Sequence, residues 1–549
     1  MKLPLTGQLF LIPAHGRLLV MPRAPGETVA VQSEVRTIVV VGGGTAGWIT
    51  ASLVAAEHRD SAQPPEVVLV ESPDIPIIGV GEGTWPSMRM TLQRIGLPEA
   101  DLLRQCEASF KQGTRFTGWS RPGEAQQYVH PFSLPAEYAT LNLAEHWLAT
   151  GGAVPFADFA APQARVIAGG LAPKQRATPE YAFNVNYGYH FDAGKFARLL
   201  HRHAVTRLGI RYVPGNLQQV EHRENGDIAA LVLDTGERLA ADLFVDCTGQ
   251  RALLIGRYPE AGFVSVKHVL FNDTAIAAQV PYADPGQPLP SVTCATAAPS
   301  GWIWDIGLQT RRGVGHVYSS AHASEAEALA TVRDYVARVS PRTDLEQLAF
   351  RRIPFEPGHR RQFWVGNCVA VGLSGGFIEP LEASALALIE QSASLISHQL
   401  PVNRETMTVV ARRFNEKMAY HWERVVEFLK LHYVLSERDD SEYWRACRDP
   451  ATCPTSLRDK LLLWQQQAPW HDDAPRVDEL FPSASYQYVL YGMGFRPALM
   501  SARGAALHRD RERVGRVVQA NAEKARQMCS LLPTNRALLD SLTQMRGVA

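Results

Sequence analysis

Early in the chain the apolar residues come in short unbroken runs, Ile38-Val39-Val40-Val41 and Val67-Val68-Leu69-Val70, each closed by glycine or by an acid. Such runs are too short for helices and rich in β-branched residues, so they predict strands buried on both faces of a parallel sheet. A helical spacing near 192–207, strands near 210–213 and 229–233, and Ala241-Asp242-Leu243-Phe244-Val245 running into a glycine turn extend the α/β pattern to about residue 255. The Pro- and Ala-rich stretch 280–300 reads as a separator. After it come the β-like segments 301–307 and 314–320, a helix near 324–339, and a return to the sheet around 362–372. Beyond Glu379 the apolar spacing approaches 3.6 over 384–400, 405–435 and 510–532, so the remainder is expected to be mostly helical. The pattern divides the chain into an extension, 1–35, an α/β core, 36–400, and a helical C-terminal module, 401–549.

The first apolar run leads directly into Gly42-Gly43-Gly44-Thr45-Ala46-Gly47-Trp48. A strand followed by GxGxxG (Gly42, Gly44, Gly47) at a helix start is the dinucleotide-binding arrangement. The glycines permit a tight turn and close backbone approach, and the free N–H groups and positive dipole end of the next helix face a pyrophosphate. Thr45 and Ala46 open that helix. Glu71, which ends the second run, stands where a carboxylate meets ribose hydroxyls.

Composition narrows the class of partner. The 549 residues are 46% hydrophobic, and Lys+Arg and Asp+Glu are both 55, so no net field draws the chain to nucleic acid or an anionic membrane. A small neutral partner is expected. The seven cysteines are scattered without a CxxC pair, which fits reduced thiols in the cytoplasm and argues against a metal site. Leu9-Phe10-Leu11-Ile12 is interrupted by Pro13, His15 and Arg17, which is poor signal-peptide grammar, and no apolar run is long enough to span a membrane. His201 and His203, two apart on a helix, are expected as surface residues on different faces.

Two further glycine-rich loops stand out. Gly79-Val80-Gly81-Glu82-Gly83 can lie flat against a planar ligand. Val371-Gly372-Leu373-Ser374-Gly375-Gly376-Phe377-Ile378-Glu379-Pro380-Leu381-Glu382-Ala383-Ser384 reads as strand, turn and helix start, with Pro380 suited to the first helical position and free amides near Ser384 and Ala385 able to hold an anion. With Trp302-Ile303-Trp304-Asp305-Ile306, Tyr189-His190-Phe191-Asp192-Ala193 and Asp440-Ser441-Glu442-Tyr443-Trp444, these segments resemble the flavin-dependent halogenases of the tryptophan or indole type, over about residues 36–450.

The resemblance implies a Rossmann-like FAD-binding fold of the glutathione-reductase and aromatic-hydroxylase type, with substrate-side segments interleaved in the core. It implies reduced FAD (FADH2) delivered by a separate NAD(P)H flavin reductase, O2, and chloride or bromide as co-substrate. Gly79, Val80, Gly81, Glu82, Gly249, Gly372 and Leu373 would join the first turn in holding FAD, and Ser384 and Ala385 the halide. Hypohalous acid would then reach Lys111, with Glu382 beside it, and halogenate a small electron-rich arene near His130 and Phe132. Trp302 and Trp304, two apart on a strand, would wall the arene off from the flavin. An ammonium can polarise or capture hypohalous acid, and a carboxylate can orient it or accept the proton the arene loses. Without the resemblance, Lys111 would read as a solvated strand-edge residue and Glu382 as an acid in a helix's first turn.

Three positions depart from the family pattern. Gly307 stands where the WxWxIP motif ends in proline, and Ala383-Ser384 where free-tryptophan enzymes carry Ser-Thr. The stretch 477–497 lacks the aromatic-rich insertion that closes over an amino-acid end, which favours indole-like arenes, and the variant resembles bromide-preferring members. Two alternatives remain: a single-component FAD monooxygenase that hydroxylates directly, and a flavin-binding protein without catalysis.

Overall fold

The computed structural model describes residues 34–76, 79, 81–123, 125–497 and 504–543; the expected extension up to residue 33, Ile77, Ile78 and the cofactor candidate Val80 lie outside the described residues. The two apolar runs form the centre of a six-stranded sheet, ordered Trp364–Val365, Cys368–Ala370, Leu243–Asp246, Thr37–Val41, Glu66–Glu71, Arg211–Pro214. All neighbours are parallel except the first pair. Burial on both faces explains the unbroken Val and Ile. Helix Thr45–His58 packs on the sheet together with Ala193–Arg207 and Ser384–His398.

Gly42 takes φ 120°, and a Cβ there would lie 2.2 Å from the Cys247 carbonyl oxygen, while one on Gly47 would lie 1.9 Å from the carbonyl oxygen of Gly42. These two glycines let the turn fold against the neighbouring strand and the helix fold against the turn.

A second, seven-stranded sheet runs Arg351–Pro354, Thr274–Pro281, Arg311–Tyr318, Gly301–Gly307, Thr293–Ala298, Gly113–Thr117, Gln127–Pro131. Its members are antiparallel except that Thr293–Ala298 lies parallel to Gly113–Thr117. The stretch 280–300, expected as a separator, therefore supplies a central strand; its small residues Ala295 and Ala298 pack in the buried interior, which alanine and proline content alone does not reveal. A three-stranded sheet, Glu82–Gly83, Gly188–Phe191, Ser109–Lys111, bridges the glycine loop and the second sheet.

The predicted helices are present as Glu325–Val339, Ser384–His398, Arg404–Val434 and Gly504–Leu531. The short helices Leu143–Ala149, Phe156–Ala160 and Gln163–Ala168 were not anticipated; they pack against Gly504–Leu531. One apolar cluster holds both Val40 and Leu539, so the helical C-terminal part shares a core with the α/β part. His201 and His203 are corrected: both are half-buried, His201 stacked on Trp48 with ring centroids 4.8 Å apart and His203 bonded through Nε2 to the Ile95 carbonyl at 2.7 Å. Replacing Gly42 by Ala should destabilise the chain by about 3 kcal/mol, from strain plus overpacking, read as a shift of the urea midpoint.

Candidate active site

One cavity of about 640 Å³ runs from the glycine turn to the second sheet. At one end Gly42, Gly43, Gly44, Thr45 and Ala46 line it, with Glu71 close by. The helix Thr45–His58 begins at Gly44 without any side-chain cap, and nothing lies within 4 Å of where a Gly44 Cβ would stand. Uncapped amides facing an open cradle of this volume fit a dinucleotide pyrophosphate. Glu71 folds over Gly43, where a Cβ would meet its carboxyl carbon at 2.0 Å, and burial raises its proton affinity.

Gly81, Glu82, Gly249 and Leu373 also line the cavity. Burial pushes the Glu82 carboxyl up to about 7. Gly47, Gly79 and Gly372 stand behind the wall: Gly372, at φ 74°, packs against the Ala46 methyl, and the Gly79 carbonyl accepts from Gln279 Nε2 at 2.6 Å. Ala385 lines the main cavity, and Ser384 lines an adjoining one of about 30 Å³. Helix Ser384–His398 likewise starts without a side-chain cap.

Trp302 and Trp304 share one face of Gly301–Gly307 and line the cavity's flank, ring centroids 6.3 Å apart and nearly edge to face. The Trp304 ring lies across Gly315 on the facing strand, where a Cβ would come within 2.1 Å of it. Trp302 Nε1 donates to Glu379 Oε2 at 2.9 Å; Asn272 Nδ2 donates to the same oxygen, and Tyr433 OH donates to Oε1 at 2.8 Å. Burial raises the Glu379 carboxyl in spite of these donors. Glu379, Asn272 and Tyr433 escaped sequence reasoning because their partners come from four separate segments.

Lys111 and Glu382 line the same cavity. Lys111 is the last residue of Ser109–Lys111, on the edge of its sheet as expected, but it is buried at 1% exposure. Its Nζ has no hydrogen bond or ion pair among the described residues and lies 5.5 Å from the Phe132 ring centre. Burial lowers its pKa to about 8, against a smaller opposing effect of the Glu382 charge.

Glu382 differs from the expected helix-capping geometry. Pro380 precedes a 3₁₀ turn, Leu381–Ala383, in which Glu382 and Ala383 are left-handed at φ 64° and 55° before the helix starts at Ser384. Trp85 Nε1 fixes this kink by donating to the Glu382 carbonyl at 2.7 Å. The carboxylate accepts from His130 Nδ1 at 2.7 Å and from Thr114 Oγ1 at 3.2 Å, and His432 Nε2 lies 3.4 Å from Oε1. Burial alone would raise its pKa, but the two histidines outweigh that and hold it well below the usual carboxylate range. His130 is thus tied to Glu382 on one side and through Nε2 to Ser485 Oγ at 3.0 Å on the other. No group of three or more His, Cys, Asp or Glu converges as a metal site among the described residues, and no helix among them is long and apolar enough to cross a membrane.

The tryptophan halogenase family model matches residues 37–509. The chain belongs to the tryptophan halogenase family, whose members are flavin-dependent enzymes. It is 32% identical to the tryptophan 7-halogenase RebH of Lentzea aerocolonigenes over 93% of this chain and 98% of that one. Among solved structures it is similar to a tryptophan halogenase from Shewanella frigidimarina, with TM-score 0.89 and 44% identity over 93% of this chain and 98% of that one. It is also similar to BrvH, a flavin-dependent halogenase from a Brevundimonas species, with TM-score 0.81 and 33% identity over 92% and 99% of the two chains.

In the flavin-free protein, burial should make Lys111 titrate below an ordinary lysine. Labelling of Lys111 by an amine reagent, followed by peptide mass spectrometry, should titrate with a midpoint near pH 8. Because the Glu382 charge favours the ammonium, Glu382→Gln should move that midpoint lower; an unmoved midpoint would show that the two groups are uncoupled.

Proposed function

We propose that this halogenase uses FADH2, O2 and chloride or bromide to generate hypohalous acid, which halogenates indole or an indole-like arene through Lys111. The observation that carries the reading is the single cavity shared by the dinucleotide cradle and the Lys111–Glu382 end, flanked by Trp302 and Trp304. Bound reduced FAD supplies the oxygen activation and reducing equivalents from which, with halide, the oxidant forms. A separate NAD(P)H flavin reductase delivers the reduced cofactor. Gly42, Gly44, Thr45 and Ala46 hold its pyrophosphate and Glu71 its ribose, while the uncapped amides at Ser384 and Ala385 offer an anion a polar seat.

The two tryptophans keep the arene from the flavin, so the oxidant travels rather than the substrate. Lys111, whose lowered pKa leaves a share of free amine near neutral pH, polarises or captures it. Glu382 stays ionised between its histidines, stabilises the positive charge a ring acquires when halogen bonds to carbon, and offers an acceptor for the proton then lost. Phe132, beside Lys111, supplies an aromatic contact for the arene, and His130 orients the carboxylate next to it.

The short stretch 477–497 favours indole over free tryptophan, and bromide over chloride follows the same variant pattern. The arene wall and the Lys111–Glu382 pair speak against a single-component hydroxylase, and against a flavin-binding protein without turnover. The test is mass spectrometry of indole incubated with the protein, FAD, NADH, a generic flavin reductase and each halide, with free tryptophan in parallel. A halogen isotope pattern that falls at least about 10²-fold in Lys111→Ala while flavin oxidation persists is expected; a hydroxylated product without halogen would favour the monooxygenase. Glu382→Gln should lower turnover by about 10²-fold with FAD binding intact, checked by flavin fluorescence titration.

A further inference from the structure

His190 and Thr293 form a buried pair that the mechanism above leaves unused. His190 sits at the centre of the three-stranded sheet, with Ser109 of the lysine strand on one side and Gly83 of the glycine loop on the other. It is fully buried, and its Nε2 lies 2.8 Å from Thr293 Oγ1. Thr293 lines the main cavity and is the register partner of Thr114, the residue that donates to Glu382. Side chains directly opposite on neighbouring strands point to one face, so the two threonine hydroxyls stand side by side in the cavity wall.

Lys111 converges on the same spot. A Cβ built on Gly83 would lie 3.1 Å from Lys111 Nζ, 3.4 Å from His190 Cδ2 and 3.5 Å from Thr293 Oγ1. The bare Gly83 is what lets ammonium, imidazole and hydroxyl meet around one small volume.

The surroundings of the His190 ring fix where its proton sits. Burial and the neighbouring Lys111 hold His190 neutral, its pKa well below the usual imidazole range. A neutral imidazole has one N–H, and His190 Nδ1 is buried with no partner among the described residues. A bare acceptor nitrogen is tolerated in that position better than an orphaned donor, so the proton belongs on Nε2, which donates to Thr293 Oγ1. The Thr293 hydroxyl has then received its bond from behind, and its own hydrogen is free to point into the cavity.

We propose that Thr293, oriented by His190, is a hydrogen-bond donor that holds hypohalous acid beside Lys111 and so commits the oxidant to the lysine. This rests on the hypohalous-acid reading of the cavity and goes beyond it by naming the second contact. Neither residue alters the oxidant covalently; they set where it waits.

The test uses the full chain with FAD, reductase and bromide, measuring brominated indole formed per FADH2 oxidised, with monochlorodimedone present in parallel to trap hypobromite that escapes. Thr293→Val should leave FAD binding and FADH2 oxidation within twofold of wild type but cut the coupling ratio at least fivefold, the missing product appearing in the trap. Thr293→Ser should restore the ratio. Independently of turnover, ¹⁵N-histidine NMR of flavin-free protein should show His190 neutral with its proton on Nε2. Coupling in Thr293→Val equal to wild type, or the proton on Nδ1, would overturn the inference. No brominated product from the wild type, with hydroxylated indole in its place, would overturn the parent reading and this one with it.

Discussion

Burying an ammonium and a carboxylate in one cavity without letting them pair is the constraint on which this site depends. Were Lys111 and Glu382 to close into an ion pair, each would cancel the other and neither charge would be left to face the cavity. The structure prevents this by satisfying Glu382 elsewhere. His130 and Thr114 donate to it, His432 stands by, and Trp85 clamps its backbone. Lys111 is left desolvated and, among the described residues, without an ion pair, which is costly for a charge and therefore lowers its pKa. The stability spent on that arrangement is recovered from the extensive apolar core that surrounds the lysine strand and the Leu381–Ala383 turn and reaches the C-terminal helices.

The same division of labour holds the tryptophan pair on the cavity's flank. Trp302 buries a large ring whose one polar atom must find a partner, and Glu379 supplies it. Asn272 and Tyr433 complete the carboxylate's shell, so Trp302 is anchored at its polar edge as well as packed at its apolar one. Gly315 gives the second ring its bed.

What was legible in the sequence is what depends on neighbours in the chain. The strand, the glycine turn and the helix start at 38–48 are one local unit, and the long helices announce themselves by spacing. The surroundings of Glu382 were not legible, because His130 and Thr114 stand more than 250 residues away in sequence and reach it only when Gly113–Thr117 and Gln127–Pro131 join the second sheet. Strand Thr293–Ala298 was hidden by its small residues, whose burial is decided by the two strands that flank it. The left-handed pair at Glu382 and Ala383 contradicts the helix start that Pro380 suggests, since local preference there yields to the need to aim a carboxylate into the cavity.

That kink also bears on how such a site can vary over evolutionary time. A left-handed backbone at Ala383 is tolerated by small or amide side chains and resisted by β-branched ones. Glycine and asparagine take that conformation at least cost, alanine and serine at a moderate one, and valine, isoleucine and threonine at the highest. The residue that follows the carboxylate is drawn from a short alphabet, and any larger change in the character of this corner must enter from the far strands that bring His130, Thr114 and Thr293 to it.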